Sequence, residues 1–211
     1  MVNAEKQCNR TEQVRIRNKD VDDRLGHSWI TIHDEVVRLH ATWKLYSQLF
    51  RSGEENILIL NKVAGITFKI IQATFYDDIV LTISRLTDRA QFGKLQNISL
   101  RHLLTFLDAA EENSNITQKL TNMLQGLDIE VAIFKNYRNK ALGHLDSDMC
   151  LEGRPELSNI ITYAEIEQVL KGIRDFLWVF EYEAFGNTTS YESVGLSGSG
   201  DDLLRVLKTR T

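Results

Sequence analysis

The chain has 211 residues, of which 43% are hydrophobic, and this is enough for one domain with an apolar core. Its formal net charge is -4, so any contact with a nucleic acid requires a local basic patch rather than a positive field over the whole molecule. We expect no secretory signal, no membrane span, and no disulfide framework or metal site from the two cysteines, which predicts a cytoplasmic protein without a cofactor.

The first half of the chain predicts two long helices after a polar start. Residues 1–27 are charged and weakly periodic, which predicts a loosely packed lead-in segment. Apolar residues recur at spacings of four and three over 28–50, which indicates one buried helix face. A second helix is predicted over 52–86, with a Ser52–Glu55 capping box at its start and apolar residues on nearly all sides.

The second half predicts shorter helices and a polar tail. Two short helices are expected within 99–126, followed by a helix over 127–142. A further capping box opens an amphipathic helix that ends near residue 186. Residues 187–211 are rich in Ser and Gly and predict a linker and a short, flexible tail, in which 201–208 can form one or two helical turns.

These elements predict an all-α fold. The chain has one proline, which favours long uninterrupted helices. We therefore expect a bundle of about four to five main helices over residues 28–186, with long antiparallel partners.

The stretch 135–146 concentrates the polar chemistry of the chain. Arg138 offers a planar fork of donors that suits a phosphate or its pentacoordinate transition state. His144 can take and give protons near neutral pH. The two together are a minimal set for cleaving RNA without a metal ion.

Other polar residues of this stretch can assist the same chemistry. Asn139 can donate hydrogen bonds to the same phosphate, and Lys135 and Lys140 can hold neighbouring phosphates electrostatically. Tyr137 is either a packing residue or a supporting group of the site. Asp146 follows the motif without a role that spacing alone assigns.

Asp78 lies on an apolar stripe of the second predicted helix, where a carboxylate is costly without a partner. One interpretation is an ion pair at a packing rim, with Arg85 or another cation. The other is a supporting group that orients Arg138 or His144. The spacing leaves both open.

Helix geometry sets a condition on any such site. Arg138 and His144 are six residues apart, which is roughly 240° around an ideal α-helix. A site that uses both requires a helix end near Gly143, or a second copy of the motif from another subunit. A cationic helix end followed by Gly is also what C-capping and the helix dipole favour, so a purely structural role stays open.

The sequence RNKALGH at 138–144 resembles the signature of the HEPN superfamily, an Arg followed by a polar residue and then a His after four to six positions. The flanking Tyr-Arg-Asn-Lys and Gly-His-Leu-Asp, with the upstream run SRLTD at 84–88, are similar to the abortive-infection AbiU-type branch. The resemblance covers about residues 30–185, and the chain beyond 186 has no counterpart in it.

The resemblance implies a helical bundle that forms a homodimer and pairs its two motifs. It implies metal-independent endoribonuclease activity on RNA in a toxin–antitoxin or phage-defence setting, with a cognate antitoxin protein as a candidate partner. Carried over by position, Arg138 and His144 are the catalytic pair, with Asn139 in the same site. The alternatives are a non-catalytic module that binds nucleotide, RNA or protein, and a plain structural subunit.

Overall fold

The periodic apolar positions of the first predicted helix form one face of a long helix in the computed structural model, which describes residues 19–107, 114–143 and 161–209. Helix α1 spans Lys19–Phe50, so it begins inside the predicted lead-in segment. The buried residues of this helix follow the predicted spacing; they include Ile32, Val36, Leu39, Trp43, Tyr46 and Phe50.

Helix α2 spans Glu54–Leu86 and is interrupted by non-helical backbone at Ala64. Gly65 follows this residue, and glycine in a helix is a common cause of a kink. Instead of forming a capping box at the start of α2, the Ser52 hydroxyl donates to the Ser47 carbonyl at 3.1 Å and so caps the end of α1.

A small hairpin and two helices follow α2. Strands β1, Gln91–Phe92, and β2, Leu95–Gln96, pair antiparallel within the predicted loop. Helix α3 spans Leu100–Leu107. Helix α4 spans Ser114–Tyr137, so the two helices predicted over 115–142 are one continuous helix up to the motif.

Helix α5 spans Tyr163–Phe185 and has the predicted capping box. The Glu165 carboxylate accepts from the Thr162 backbone N–H at 2.6 Å, and the Glu165 N–H donates to the Thr162 hydroxyl at 3.3 Å. A short 3₁₀ turn at Tyr191–Ser193 and helix α6, Gly200–Lys208, complete the described elements. The final helical turns predicted at 201–208 are therefore present.

The segment predicted as a linker and tail makes defined contacts with the end of α1. The Lys44 ammonium donates to the Val194 carbonyl at 2.9 Å, and the Gly200 N–H donates to the Gln48 side chain at 3.0 Å. Tyr191 is buried, with its ring stacked near His40. The apolar Tyr191 gives this segment an attachment point that its Ser/Gly-rich composition does not reveal.

Helices account for 81% of the described residues, which confirms the predicted all-α fold. The chain divides into two compact units, each with its own buried apolar residues. The first unit comprises Met1–Asp34, Leu86–Glu130 and Glu167–Ser190, and the second comprises Glu35–Arg85, Val131–Ile166 and Tyr191–Thr211. The motif and most of α2 belong to the second unit.

Helix α2 also has an unusual surface. Within the described ranges, it is the one helix whose length and composition would allow it to cross a membrane, and 6% of its most apolar window is buried. The prediction that this helix is buried on several sides is therefore wrong for residues 61–75, while Leu60 before this stretch and Tyr76, Ile79 and Ile83 after it are buried.

Candidate functional site

The end of α4 is anchored by an apolar face. Phe134, Tyr137 and Ala141 are buried, at spacings of three and four residues. Asn139 and Lys140 lie on the opposite, exposed side. The packing thus holds the backbone of the motif and directs its polar side chains towards solvent.

The motif itself does not continue as an α-helix. Arg138–Leu142 form a π-helical turn, in which the Gly143 N–H donates to the Arg138 carbonyl at 2.7 Å. Gly143 has right-handed backbone angles, so it closes this turn rather than ending the helix with the left-handed conformation of a C′ glycine. Single π-helical turns inside helices occur frequently at functional sites.

The π-helical turn changes the angle around the helix axis between residues 138 and 143. On an ideal α-helix residue 143 would lie about 140° around from residue 138. Here the 2.7 Å hydrogen bond brings the Gly143 backbone directly beneath the Arg138 carbonyl. The α-helix is therefore interrupted at the motif, one of the two conditions that the spacing sets, and Gly143 precedes His144 by one peptide bond.

Arg138 is half-buried, and its Nε–H donates to Asn139 Oδ1 at 3.1 Å. This bond uses one edge of the guanidinium and orients its plane. Lys135 is half-buried and Lys140 exposed, so three cations lie within six residues of an acidic chain. They form a local basic patch of the kind that an anionic ligand needs, and they also complement the negative end of the α4 dipole.

A carboxylate on α2 supports the residue before the arginine. The Tyr137 hydroxyl donates to Asp77 Oδ1 at 3.4 Å, and the Tyr137 ring packs edge-on against Tyr76 at 6.0 Å. The Tyr76 hydroxyl in turn donates a hydrogen bond to the Ile161 carbonyl at 3.1 Å. These contacts link the start of the π-helical turn to α2 and to the segment before α5.

Tyr76 and Tyr46 keep their hydroxyl protons at neutral pH. Burial raises the pKa of Tyr76 well above its ordinary range, with a further contribution from Tyr137. Burial likewise raises the pKa of Tyr46, whose hydroxyl lies 3.4 Å from that of Tyr163. Their role is to pack and to donate hydrogen bonds.

Asp78 lies in an ion-pair network between α1 and α2. It accepts from the Arg38 guanidinium at 2.6 Å, and Arg38 also donates to Glu35 at 3.0 Å and to the Thr82 hydroxyl at 2.8 Å. Arg85 binds the same Glu35 at 2.9 Å. The ion-pair interpretation of Asp78 describes such a contact at a packing rim, but the cation that pairs with Asp78 is Arg38 rather than Arg85.

Burial alone would lower the pKa of Arg38, but its hydrogen bonds to Glu35 and Asp78 outweigh this effect and raise the pKa. The Arg38 guanidinium therefore stays charged. In the part of the chain that the structure describes, the hydrogen-bond partner of Asp78 is Arg38, and the carboxylate that reaches the motif is its neighbour Asp77.

His144 and Asp146 lie outside the described residues. The described part of the site is thus the π-helical turn with Arg138, Asn139 and Lys140, supported by Tyr137 and Asp77. This surface can bind a phosphate group through a guanidinium, an amide and an ammonium group. Over the described ranges, no three His, Cys, Asp or Glu side chains are grouped as a metal site.

Sequence reasoning did not identify Asp77 or Arg38. Asp77 is 60 residues from Tyr137 in the chain, so no local spacing links them. The signal that was available is the Asp77-Asp78 pair on an apolar helix, because each carboxylate in such a position needs a partner. Two partners are present, Tyr137 for the first and Arg38 for the second.

Comparison with protein families gives one assignment for most of the chain. The family model HEPN_AbiU2, described as AbiU2, matches residues 25–201. This range includes the π-helical turn and the Asp77–Tyr137 contact. It also extends to residue 201, so the expectation that the chain beyond 186 has no counterpart in the family is wrong for residues 187–201. No curated protein matches the chain. No solved structure matches it either.

Proposed function

Because the chain belongs to the AbiU2 family of HEPN proteins, which is associated with abortive infection, we propose that it is a metal-independent endoribonuclease. Arg138 and His144 act on the scissile phosphate, and Asn139 acts beside them. The single observation that carries this proposal is the π-helical turn, which interrupts α4 at the motif.

The reaction needs one proton acceptor, one proton donor and stabilisation of negative charge. The ribose 2′-OH loses its proton and attacks phosphorus, and the 5′-oxygen leaves with a proton, which yields a 2′,3′-cyclic phosphate and a 5′-OH. His144 serves as the acid or base because imidazole titrates near neutral pH. Arg138 stabilises the charge that develops on the non-bridging oxygens.

The remaining residues of the turn bind and orient. Asn139 accepts from the Arg138 Nε–H, which orients the guanidinium, and its own amide group can donate to the phosphate. Lys135 and Lys140 attract neighbouring phosphates of the same strand. Tyr137 holds the start of the turn through its bond to Asp77.

The proposal includes a homodimer, in which two motifs face one cleft. The chain has a net charge of -4, and one motif supplies three cations. Two motifs side by side would double this local positive charge and give a strand of RNA a continuous path. In the cytoplasm, such an activity requires restraint, which a cognate antitoxin protein would provide.

The test is cleavage of a labelled single-stranded RNA by the purified protein in excess EDTA. We expect products that end in 2′,3′-cyclic phosphate. Arg138→Ala and His144→Ala should each lower the rate by about 10²–10⁴-fold, the size of a lost acid–base or charge-stabilising group.

Two exposed residues away from the motif provide matched controls. Arg89→Ala removes an arginine and His27→Ala removes a histidine, and both should retain full activity. Equal activity of His144→Ala and the wild-type protein would refute the proposed chemistry. RNA binding without cleavage by any of these proteins would instead favour the non-catalytic binding module.

A further inference from the structure

The middle of α2 presents an apolar surface that the described part of the chain does not cover. None of residues 61–75 is buried, although this stretch includes two phenylalanines and three isoleucines. The isoleucine side chain at 66 is 82% exposed and that at 70 is 61% exposed. Exposed apolar surface of this kind marks an interaction site more often than a solvated helix face.

The kink at Ala64 shapes this surface into a cleft of about 450 Å³. Its walls are mainly apolar, with three polar side chains among the lining residues: Asn61, Lys69 and Gln72. Beyond the kink, Ile66, Ile70 and Ala73 follow spacings of four and three, which is the seam that a second helix packs against.

The charged side chains on this surface are all positive. Between Asn56 and Tyr76 there is no acidic residue, and the two charged residues are Lys62 and Lys69. They lie on either side of the kink at Ala64, and both side chains are exposed. An occupant that buries the apolar seam would meet these ammonium groups at its margin.

A second copy of the chain is a poor electrostatic match for this face. A symmetric contact places the same patch opposite itself, so the two lysines of one copy would approach the same lysines of the other. Like charges that face each other across a helix contact are unfavourable. A helix with carboxylates on both sides of its apolar stripe matches both the seam and the charge.

We propose that the uncovered face of α2, residues 61–75, is a docking surface for an acidic amphipathic helix of a partner protein. Beyond the kink, residues 65–75 form about 16 Å of this face at 1.5 Å per residue, which accommodates about three turns of a partner helix. The apolar stripe of that helix fills the cleft at the kink, and its carboxylates pair with Lys69 and Lys62.

This docking surface ends close to the motif. Asp77, which accepts from Tyr137, is two residues beyond the uncovered stretch. A helix that occupies residues 66–75 would thus end within about 10–15 Å of the Arg138 turn. A bound partner helix would therefore control the access of RNA to Arg138. This consequence rests on the proposed function, whereas the docking itself does not.

The test uses a synthetic peptide of about 20 residues, with leucines at spacings of three and four and glutamates on both sides of that stripe. A second peptide has lysine at every glutamate position. Binding of each labelled peptide to the full-length protein is measured by fluorescence anisotropy. We expect the acidic peptide to bind more tightly than the basic peptide by about 10-fold or more.

Two variants locate the binding on α2. Ile66→Ser removes the most exposed apolar side chain and should weaken the acidic peptide about 10-fold, the value of one buried aliphatic side chain. Lys69→Glu should weaken the acidic peptide and strengthen the basic one. Leu95→Ser, which changes another exposed apolar residue, in the hairpin, is the control and should bind as the wild type does.

Several results would overturn the proposal. Equal binding of the two peptides, no binding of either, or unchanged binding by Ile66→Ser and Lys69→Glu would each do so. A dimer in analytical ultracentrifugation that Ile66→Ser dissociates would assign the face to a second copy. Sedimentation with phosphatidylcholine–phosphatidylglycerol vesicles that depends on Ile66 would assign it to a membrane, for which α2 has sufficient length.

The docking proposal and the proposed nuclease activity can be refuted independently of each other. Arg138→Ala should bind the acidic peptide as tightly as the wild type, because Arg138 is not part of the docking surface. If the wild-type protein binds the peptide but cleaves no RNA, the docking stands and the proposed function fails. If it cleaves RNA and ignores the peptide, only the docking fails.

Discussion

The Tyr137 hydroxyl donates to Asp77 Oδ1 at 3.4 Å, and this bond ties the residue immediately before the π-helical turn to α2. Tyr137 is buried while Arg138, its neighbour, is partly exposed. The turn therefore has a fixed inner end and an accessible outer side, which is the arrangement that a site for a large anionic substrate requires.

Replacement of Tyr137 by Phe tests this support. The variant keeps the ring and its packing against Tyr76 but loses the hydrogen bond to Asp77. We expect the free energy of unfolding to fall by about 1 kcal/mol, measured by urea denaturation. If the proposed activity is present, kcat should fall more than KM changes, because the position of Arg138 matters most in the transition state.

The control for this variant is Tyr182→Phe, which removes a hydroxyl from an exposed tyrosine. It should change neither stability nor activity. A Tyr137→Phe protein as stable as the wild type would show that the contact with Asp77 contributes little.

The helices could be predicted from the sequence because each long helix has a continuous apolar stripe. Trp43 and Tyr46 follow the spacing of α1, and both are buried as expected. The burial of α2 could not be predicted in the same way. The sequence pattern places Ile66 and Ile70 on an apolar helix, but it does not show that no described part of the chain covers them.

The site was predictable in part. Because a regular helix separates Arg138 and His144, their spacing called for a helix break near Gly143 or for a second copy of the motif, and a π-helical turn is present at 138–142. The form of the break, a π-helical turn, depends on tertiary packing of Tyr137 and Ala141, which no local pattern specifies. The roles of Arg138 and His144 remain predictions, and His144 lies outside the described residues.

Lys140→Ala tests the proposed electrostatic steering of RNA. Lys140 is exposed on the π-helical turn, so its removal should not affect folding. We expect RNA binding to weaken several-fold for all sequences, and the slope of log K against log salt concentration to decrease by about one. Fluorescence anisotropy over a salt series measures both quantities.

The matched control is Lys94→Ala in the hairpin, an exposed lysine distant in sequence from the motif. This variant should retain the wild-type salt slope. A slope that changes equally in both variants would indicate a general effect of net charge rather than a contact at the motif.

His102 should make stability depend on pH near neutrality. It is buried on α3 beside Phe106, and burial lowers its pKa below the ordinary value of 6.5, with a smaller effect from Arg24. Below pH 6.5 the His102 imidazole binds a proton in the unfolded chain, whereas in the folded chain it binds one only at a lower pH. The free energy of unfolding should therefore fall as the pH drops from 6.5 towards the folded-state pKa.

His102→Gln removes this titration. Urea denaturation at pH values of about 7.5 and 5.5 should show a smaller loss of stability on acidification for the variant than for the wild type. His27→Gln, at an exposed position, should keep the wild-type dependence. Identical pH dependence of the wild type and His102→Gln would contradict this assignment.

Ser199→Ala tests whether α6 depends on its capping box. The Ser199 hydroxyl accepts from the Asp202 N–H at 3.2 Å, while the Asp202 carboxylate accepts from the Ser199 N–H at 2.9 Å. Loss of the hydroxyl should cost about 1 kcal/mol. Because the cap bonds hold the first turn of α6, we expect the cost to appear first as faster hydrogen exchange of amides 200–208.

Acid should have a related effect on the same helix. Hydrogen bonds from the Ser199 backbone N–H and hydroxyl lower the pKa of Asp202 below its ordinary value of 3.8. The stabilisation of the folded state by these bonds is therefore present above pH 3.8 and is lost as the pH falls through the lower, folded-state pKa. Ser197→Ala, an exposed serine two residues upstream, is the control. Unchanged exchange of amides 200–208 in Ser199→Ala would show that contacts such as Gly200 with Gln48, rather than the cap, hold α6 in place.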